Sequence, residues 1–147
     1  MKKFTFSTLS VLVLTVFLFT GCGKYEDGPG FTLRTKNGRI TGDWKLTSIS
    51  GPDATYNGIE LSQSGFSIPY SYTMTLEKDG MFESTEVWDG DSQVAKGLWS
   101  WVDGSSRKEM VDLPGIGRGR ITRLSSKELV IVYPSSDGDT TYEFEAE

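Results

Sequence analysis

The chain has no histidine and a single cysteine, Cys22. The first absence excludes Ser-His-Asp and Cys-His catalysis and every zinc site that needs imidazole. The second excludes an intramolecular disulfide. Any enzyme built on this sequence would have to work with carboxylates, serine, tyrosine or lysine. No window carries an apolar stripe at i, i+3, i+4 and i+7, so no long amphipathic helix is expected. Positive charge is also short: 15 basic residues face 20 acidic ones. That balance argues against nucleic acid, whose binding depends on Lys and Arg neutralising phosphates. It argues equally against attraction to anionic lipid headgroups. The uncharged run at 4–19 falls short of the roughly 20 apolar residues that a transmembrane helix requires.

That run has another use. Lys2 and Lys3 give it a basic start, and Thr20-Gly21 place two small residues before Cys22. A basic n-region, an apolar h-region and a small-residue cleavage site mark a signal peptide. The site is similar to the bacterial lipobox, although Phe19 stands where that motif usually has Leu. The resemblance implies acylation of Cys22, removal of residues 1–21 and a membrane partner reached through the lipid. Several acyl chains make a stable anchor where one does not. Gly23-Lys24-Tyr25-Glu26-Asp27 looks like the acidic surface-export tether of Bacteroidetes lipoproteins, which places the protein at the outer membrane or cell surface. Losing Lys2 and Lys3 leaves 13 basic against 20 acidic groups, a formal charge of −7.

Residues 22–38 hold Gly28-Pro29-Gly30 and Asn37-Gly38 and read as a tether. Residues 39–147 read as one domain and as β throughout. Short alternating runs are separated by Gly, Asp and Ser clusters. Eight strands are expected, at 43–50, 70–77, 81–88, 95–102, 108–113, 119–124, 128–133 and 140–146. In the second, Tyr70, Tyr72, Met74 and Leu76 share one face. In the last, Tyr142, Phe144 and Ala146 alternate with glutamates. Sequential strands and short loops imply an antiparallel up-and-down meander. Closing it removes two exposed edges, and eight strands close into a small barrel that is either filled or holds one small ligand. The long connection at 51–69, with Ile59, Leu61 and Phe66, is expected to fold over an open end.

Three segments carry a family resemblance. Thr41-Gly42-Asp43-Trp44-Lys45-Leu46 matches the lipocalin G-x-W signature. Residues 73–82 look like the second-hairpin pattern of bacterial lipocalin-like domains. Gly97-Leu98-Trp99-Ser100-Trp101, followed by Asp103-Gly104, resembles their fourth strand. The chain thus resembles the Bacteroidetes lipocalin-like lipoproteins, with a calycin-type barrel but no long C-terminal helix after Glu147. The resemblance implies that Trp44 plugs the closed end and that an arginine packs across it; Arg123, Arg120 and Arg39 are the candidates.

The expected interior set is Trp44, Tyr72, Met74, Phe82, Trp99, Trp101, Tyr133, Tyr142 and Phe144. Two readings stay open. The set lines a cavity for a small apolar or amphipathic ligand, or the rings fill the barrel themselves. Ser84, Ser100 and Gly97 are the only hints of interior space. Glu83 and Glu86 fall on opposite faces of one strand, and no feature sets two carboxylates across a cleft as glycoside hydrolysis requires. A non-enzymatic protein is therefore expected, with no cofactor and no metal. Asp89-Gly90-Asp91 and Asp137-Gly138-Asp139 lack the rest of a calcium loop and read as turns. The glycine-rich 114–119 stretch opens no helix and is no phosphate cradle. Arg107, Lys108, Arg118, Arg120 and Arg123 read as solvated strand-edge charge, with an anion site as the alternative. The expected function is ligand binding by a tethered barrel. The alternative is a packed envelope barrel that contacts a partner through its 51–69 connection.

Overall fold

A computed structural model of the chain describes Tyr25, residues 33–102 and residues 108–147. The expected leader, Cys22 and the turn at 103–106 lie outside the described residues. Among the described residues, one short helix, α1 (Lys36–Ile40), precedes the strands β1 (Gly42–Ser50), β2 (Ala54–Tyr56), β3 (Glu60–Gln63) and β4 (Phe66–Leu76). There follow β5 (Met81–Trp88), β6 (Asp91–Leu98), β7 (Ser100–Trp101), β8 (Met110–Leu113), β9 (Gly117–Leu124), β10 (Glu128–Tyr133) and β11 (Thr140–Ala146).

All eleven strands belong to one antiparallel sheet, in the order β6-β5-β4-β3-β2-β1-β11-β10-β9-β8-β7. The two end strands, β6 and β7, are consecutive in the chain and separated only by Trp99. The sheet therefore returns to its own start and closes in the manner of a barrel. Closure is incomplete along one side. β6 pairs with β5 alone, while the two residues of β7 carry the chain across to β8.

The strand count corrects the expected eight, for local reasons. The 51–69 connection does not cap an opening. β1 pairs with β4 only from Gly42 to Lys45. Beyond that the two strands diverge, and the β2–β3 hairpin is inserted between them, with Ile49 opposite Tyr56 and Leu61 opposite Ile68. Tyr56 and Leu61 enter the core, whereas Ile59 and Phe66 face solvent. The expected fourth strand is divided at Trp99. It also begins four residues early, because Asp89 and Gly90, both at positive φ, make a two-residue turn of the kind that closes hairpins tightly.

β1 contains a bulge. Leu46 faces Phe144 but Ser48 faces Glu143, leaving Thr47 unpaired in the register; the Thr47 hydroxyl donates to the Glu143 carbonyl at 3.1 Å. An extra residue of this kind shifts the inward phase by one. Hence Trp44, Leu46 and Ile49 all point inward although strict alternation would turn Ile49 out.

The lower half of the barrel is solid. Trp44, Met74, Leu76, Phe82, Leu124, Leu129 and Ile131 are almost completely buried there. Trp44 is 1% exposed, and its indole nitrogen donates to the Ile40 carbonyl at 2.8 Å. α1 is too short to persist alone. Thr35 caps it by accepting from the Gly38 amide, and Arg39 and Ile40 are buried beneath it. Of the three candidate arginines, Arg39 is the one buried at this end. It is 6% exposed and donates to the Leu124 carbonyl at 2.7 Å. Arg120 is exposed, and Arg123 lies outside, 3.4 Å from Glu128.

Candidate functional site

The site begins where the solid core stops. In β4, alternation sends Tyr70 and Tyr72 inward above Met74 and Leu76. In β5, the same two-residue period sends Ser84 and Glu86 inward above Phe82. The register sets Tyr72 opposite Glu86 and Met74 opposite Ser84. From the other wall come Leu46 of β1 and Tyr142 and Phe144 of β11. Together they border a cavity of about 310 Å³, completed by Ala95 of β6 and the Pro114-Gly115-Ile116 turn.

Pro114 and Ala95 mark the side where β6 lacks a strand neighbour. There the turn at 114–116 stands in for a wall. A Cβ on Gly97 would come within 2.7 Å of Pro114 Cγ, so the missing side chain is what lets the turn lie against β6. Every residue of β6 except the half-buried Gly97 is exposed. The cavity therefore opens at the top and along this seam.

Its polar chemistry is specific. The Tyr70 hydroxyl donates to Glu86 Oε1 at 2.8 Å. Tyr70 is held by edge-on contacts with Tyr56 at 5.4 Å and Trp88 at 4.8 Å, and such pairs add about 0.5–1.5 kcal/mol each beyond their burial. Tyr72 packs on Phe144 at 6.3 Å and Tyr133 on Tyr142 at 5.2 Å. The Tyr72 and Tyr133 hydroxyls are buried without a hydrogen bond of proper geometry. Ser84 is the hydrogen-bonding neighbour within reach of the Tyr72 hydroxyl, although the contact falls short of full hydrogen-bond geometry.

Burial pushes the Tyr72 hydroxyl up to about 12, with Glu86 and Tyr142 adding and Ser84 opposing. Tyr70 is raised further, by burial first and then by its hydrogen bond to Glu86. Tyr133 and Tyr142 are also raised, chiefly by burial. All four rings stay neutral near pH 7. Among the described residues, no lysine or arginine lines the cavity. Among the described residues, no three His, Cys, Asp or Glu side chains gather as a metal site would require.

The nine residues expected inside the barrel separate into groups. Tyr72, Tyr142 and Phe144 border the cavity. Trp44, Met74 and Phe82 form the packed floor beneath it, and the half-buried Tyr133 packs beside Tyr142. Trp99 and Trp101 are not brought to the cavity. They pair edge-on at 5.9 Å at the closed end, where their indoles donate to the Glu77 carbonyl and to Asn37 Oδ1. Of the three hints of interior space, Ser84 borders the cavity, Gly97 lies under Pro114, and Ser100 faces solvent.

Sequence reasoning passed over Glu86, Tyr70, Leu46 and the 114–116 turn. A signal for Glu86 existed: it shares the phase of Phe82 and Ser84. Glu83, one phase away, faces out and pairs with Lys96 at 2.8 Å. Nothing in the sequence places residues 114–116 against β6, since that contact depends on the barrel's incomplete side. Comparison with known proteins adds no neighbour: no family model, curated protein or solved structure matches the chain.

Proposed function

We propose that this chain is a non-enzymatic binding module, a lipocalin-like barrel held at the cell envelope through acylated Cys22, that takes a small apolar or amphipathic ligand into its upper cavity. The observation that carries the reading is the division of the interior. Its floor is packed by Trp44, Met74 and Phe82, and above it aromatic walls with a few polar groups surround about 310 Å³ of space. Concave, mostly apolar space with a small number of placed polar groups is the general form of a small-molecule site.

The anchor fits this arrangement. Tyr25, three residues after Cys22, is 2% exposed, and its hydroxyl donates to the Lys108 carbonyl at 2.5 Å. Lys36 Nζ sits 4.3 Å from the centre of its ring. Both partners lie at the closed end. Three extended residues span at most about 10 Å, so a lipid on Cys22 would hold the closed end toward the membrane. The cavity mouth would then face away from it.

The test is a fluorescence titration of the mature chain with 2-naphthol, a neutral aromatic small enough for the cavity. Saturable binding is expected, lost in Ser84→Phe, whose ring would fill the space from the β5 wall. No binding by the parent chain, or equal binding by Ser84→Phe, contradicts the proposal. A second reading, an interaction barrel, is favoured by one observation: Ile59 and Phe66 on the inserted hairpin are 73% and 77% exposed. Cross-linking in intact envelopes that disappears with Ile59→Ser and Phe66→Ser would support it, and cross-linking indifferent to both would remove it.

A further inference from the structure

We infer that the cavity selects a small organic cation, an amine on an aromatic or aliphatic body, over a carboxylate-bearing lipid. The inference rests on the cavity reading above and adds to it the charge of the ligand.

Among the described residues, Glu86 is the only carboxylate bordering the cavity, and no basic side chain borders it. A buried or half-buried acid normally finds a cation, because an unpaired charge is costly away from water. Here Glu86 instead receives one hydrogen bond, from Tyr70, which orients the carboxylate and leaves acceptor capacity unused. The edge-on contacts of Tyr70 with Tyr56 and Trp88 fix that donor in turn.

Tyr72 supplies an independent observation. It is 9% exposed, its hydroxyl has Ser84 within reach but no hydrogen bond of full geometry, and it stands opposite Glu86 in the β4–β5 ladder. An ammonium group carries several donors and no acceptor. Placed between these two residues, it would give one N–H to Glu86 and one to the Tyr72 oxygen. The faces of aromatic rings also attract cations. A carboxylate in the same position would face Glu86 with like charge and no cation to offset it. A cavity of about 310 Å³ lies at the small end of ligand pockets, which run from about 300 to 1,000 Å³, and suits a small ligand rather than a long acyl chain.

The experiment compares three probes of one shape on the mature chain at pH 7: 2-phenylethylamine, 2-phenylethanol and 3-phenylpropionate. The amine is expected to bind at least about tenfold more tightly than the alcohol, through the charge-assisted bond and the aromatic faces. The carboxylate is expected to bind more weakly than the alcohol. Glu86→Gln keeps an acceptor for Tyr70 and should bring amine and alcohol to within about threefold. Tyr72→Phe should weaken the amine more than the alcohol. Carboxylate binding equal to or tighter than amine binding overturns the inference, as does an amine preference that survives Glu86→Gln. In both of those outcomes the alcohol still binds, so the cavity reading stands. If none of the three probes binds, the cavity reading fails and takes this inference with it. The parent-chain series decides the matter even if Glu86→Gln does not fold.

Discussion

Trp44 does two jobs from one position. Its ring fills the barrel floor, and its N–H ties the floor to α1 through the Ile40 carbonyl. Trp44→Ala removes both and should cost about 3–5 kcal/mol, the range for large-to-small aromatic changes in cores. Urea unfolding measures it, and a loss under about 1 kcal/mol would show that the floor does not depend on this ring. The tyrosines make a second prediction at this scale. Tyr72 titrates near 12 when folded, against 10 in the unfolded chain. A raised tyrosine keeps its proton in the native state while the unfolded state loses it, so its contribution is intact below pH 10 and is lost as pH rises toward 12. Tyr70 and Tyr133 push in the same direction. Stability should therefore be flat from pH 7 to 9 and fall steeply above 10. Absorbance near 295 nm should show these tyrosines ionising later than in urea; a single transition at 10 in both states would contradict it. Residue identity alone made Trp44 legible, because G-x-W followed by alternation is a local pattern. Glu86 was legible in phase but not in role, since its lack of a cation depends on five separate strands.

At the scale of elements, the alternating runs were readable wherever the period held. β4, β5 and β11 follow it, and their inward faces agree with the expected ones. The departures all come from residues that break the period. Thr47 bulges out of β1, and a second register shift in β9 buries both Ile121 and Thr122. β2 and β3 are three and four residues long, too short for an alternating pattern to show. α1 spans five residues and is held by its cap and by burial, neither of which yields a helical stripe. The strand expected from Gly119 begins two residues earlier, so that β9 opens at Gly117 within the glycine-rich stretch. A Cβ on Gly119 would meet Ile131 Cγ2 at 2.3 Å and the Tyr133 ring at 2.9 Å. Gly119→Ala should thus overpack the β9–β10 contact and cost about 1–3 kcal/mol. Its melting temperature should drop by several degrees, and an unchanged melting temperature would contradict this reading of β9.

The whole molecule is a barrel closed at one end, open at the other and incomplete along β6. Closure was legible from sequential strands joined by short loops; the inserted hairpin was not, because it depends on how far β1 and β4 diverge, and neither was the open side, where β6 pairs with β5 alone. At this scale the proposed anchor predicts that Cys22→Ser leaves the melting temperature unchanged and moves the protein from the membrane to the soluble fraction. Radiolabelled palmitate incorporation that persists in Cys22→Ser would refute the assignment. The central claim is that the upper interior is space for a ligand and the lower interior is packed core. Nuclear magnetic resonance of the mature chain titrated with 2-phenylethanol tests it most directly. The account predicts saturable shifts gathered on Tyr72, Ser84, Glu86, Tyr142 and Phe144, with Trp44 and Phe82 shifting little. Shifts confined to the outer face or to the Trp99–Trp101 recess, or no saturable shift at all, would contradict it.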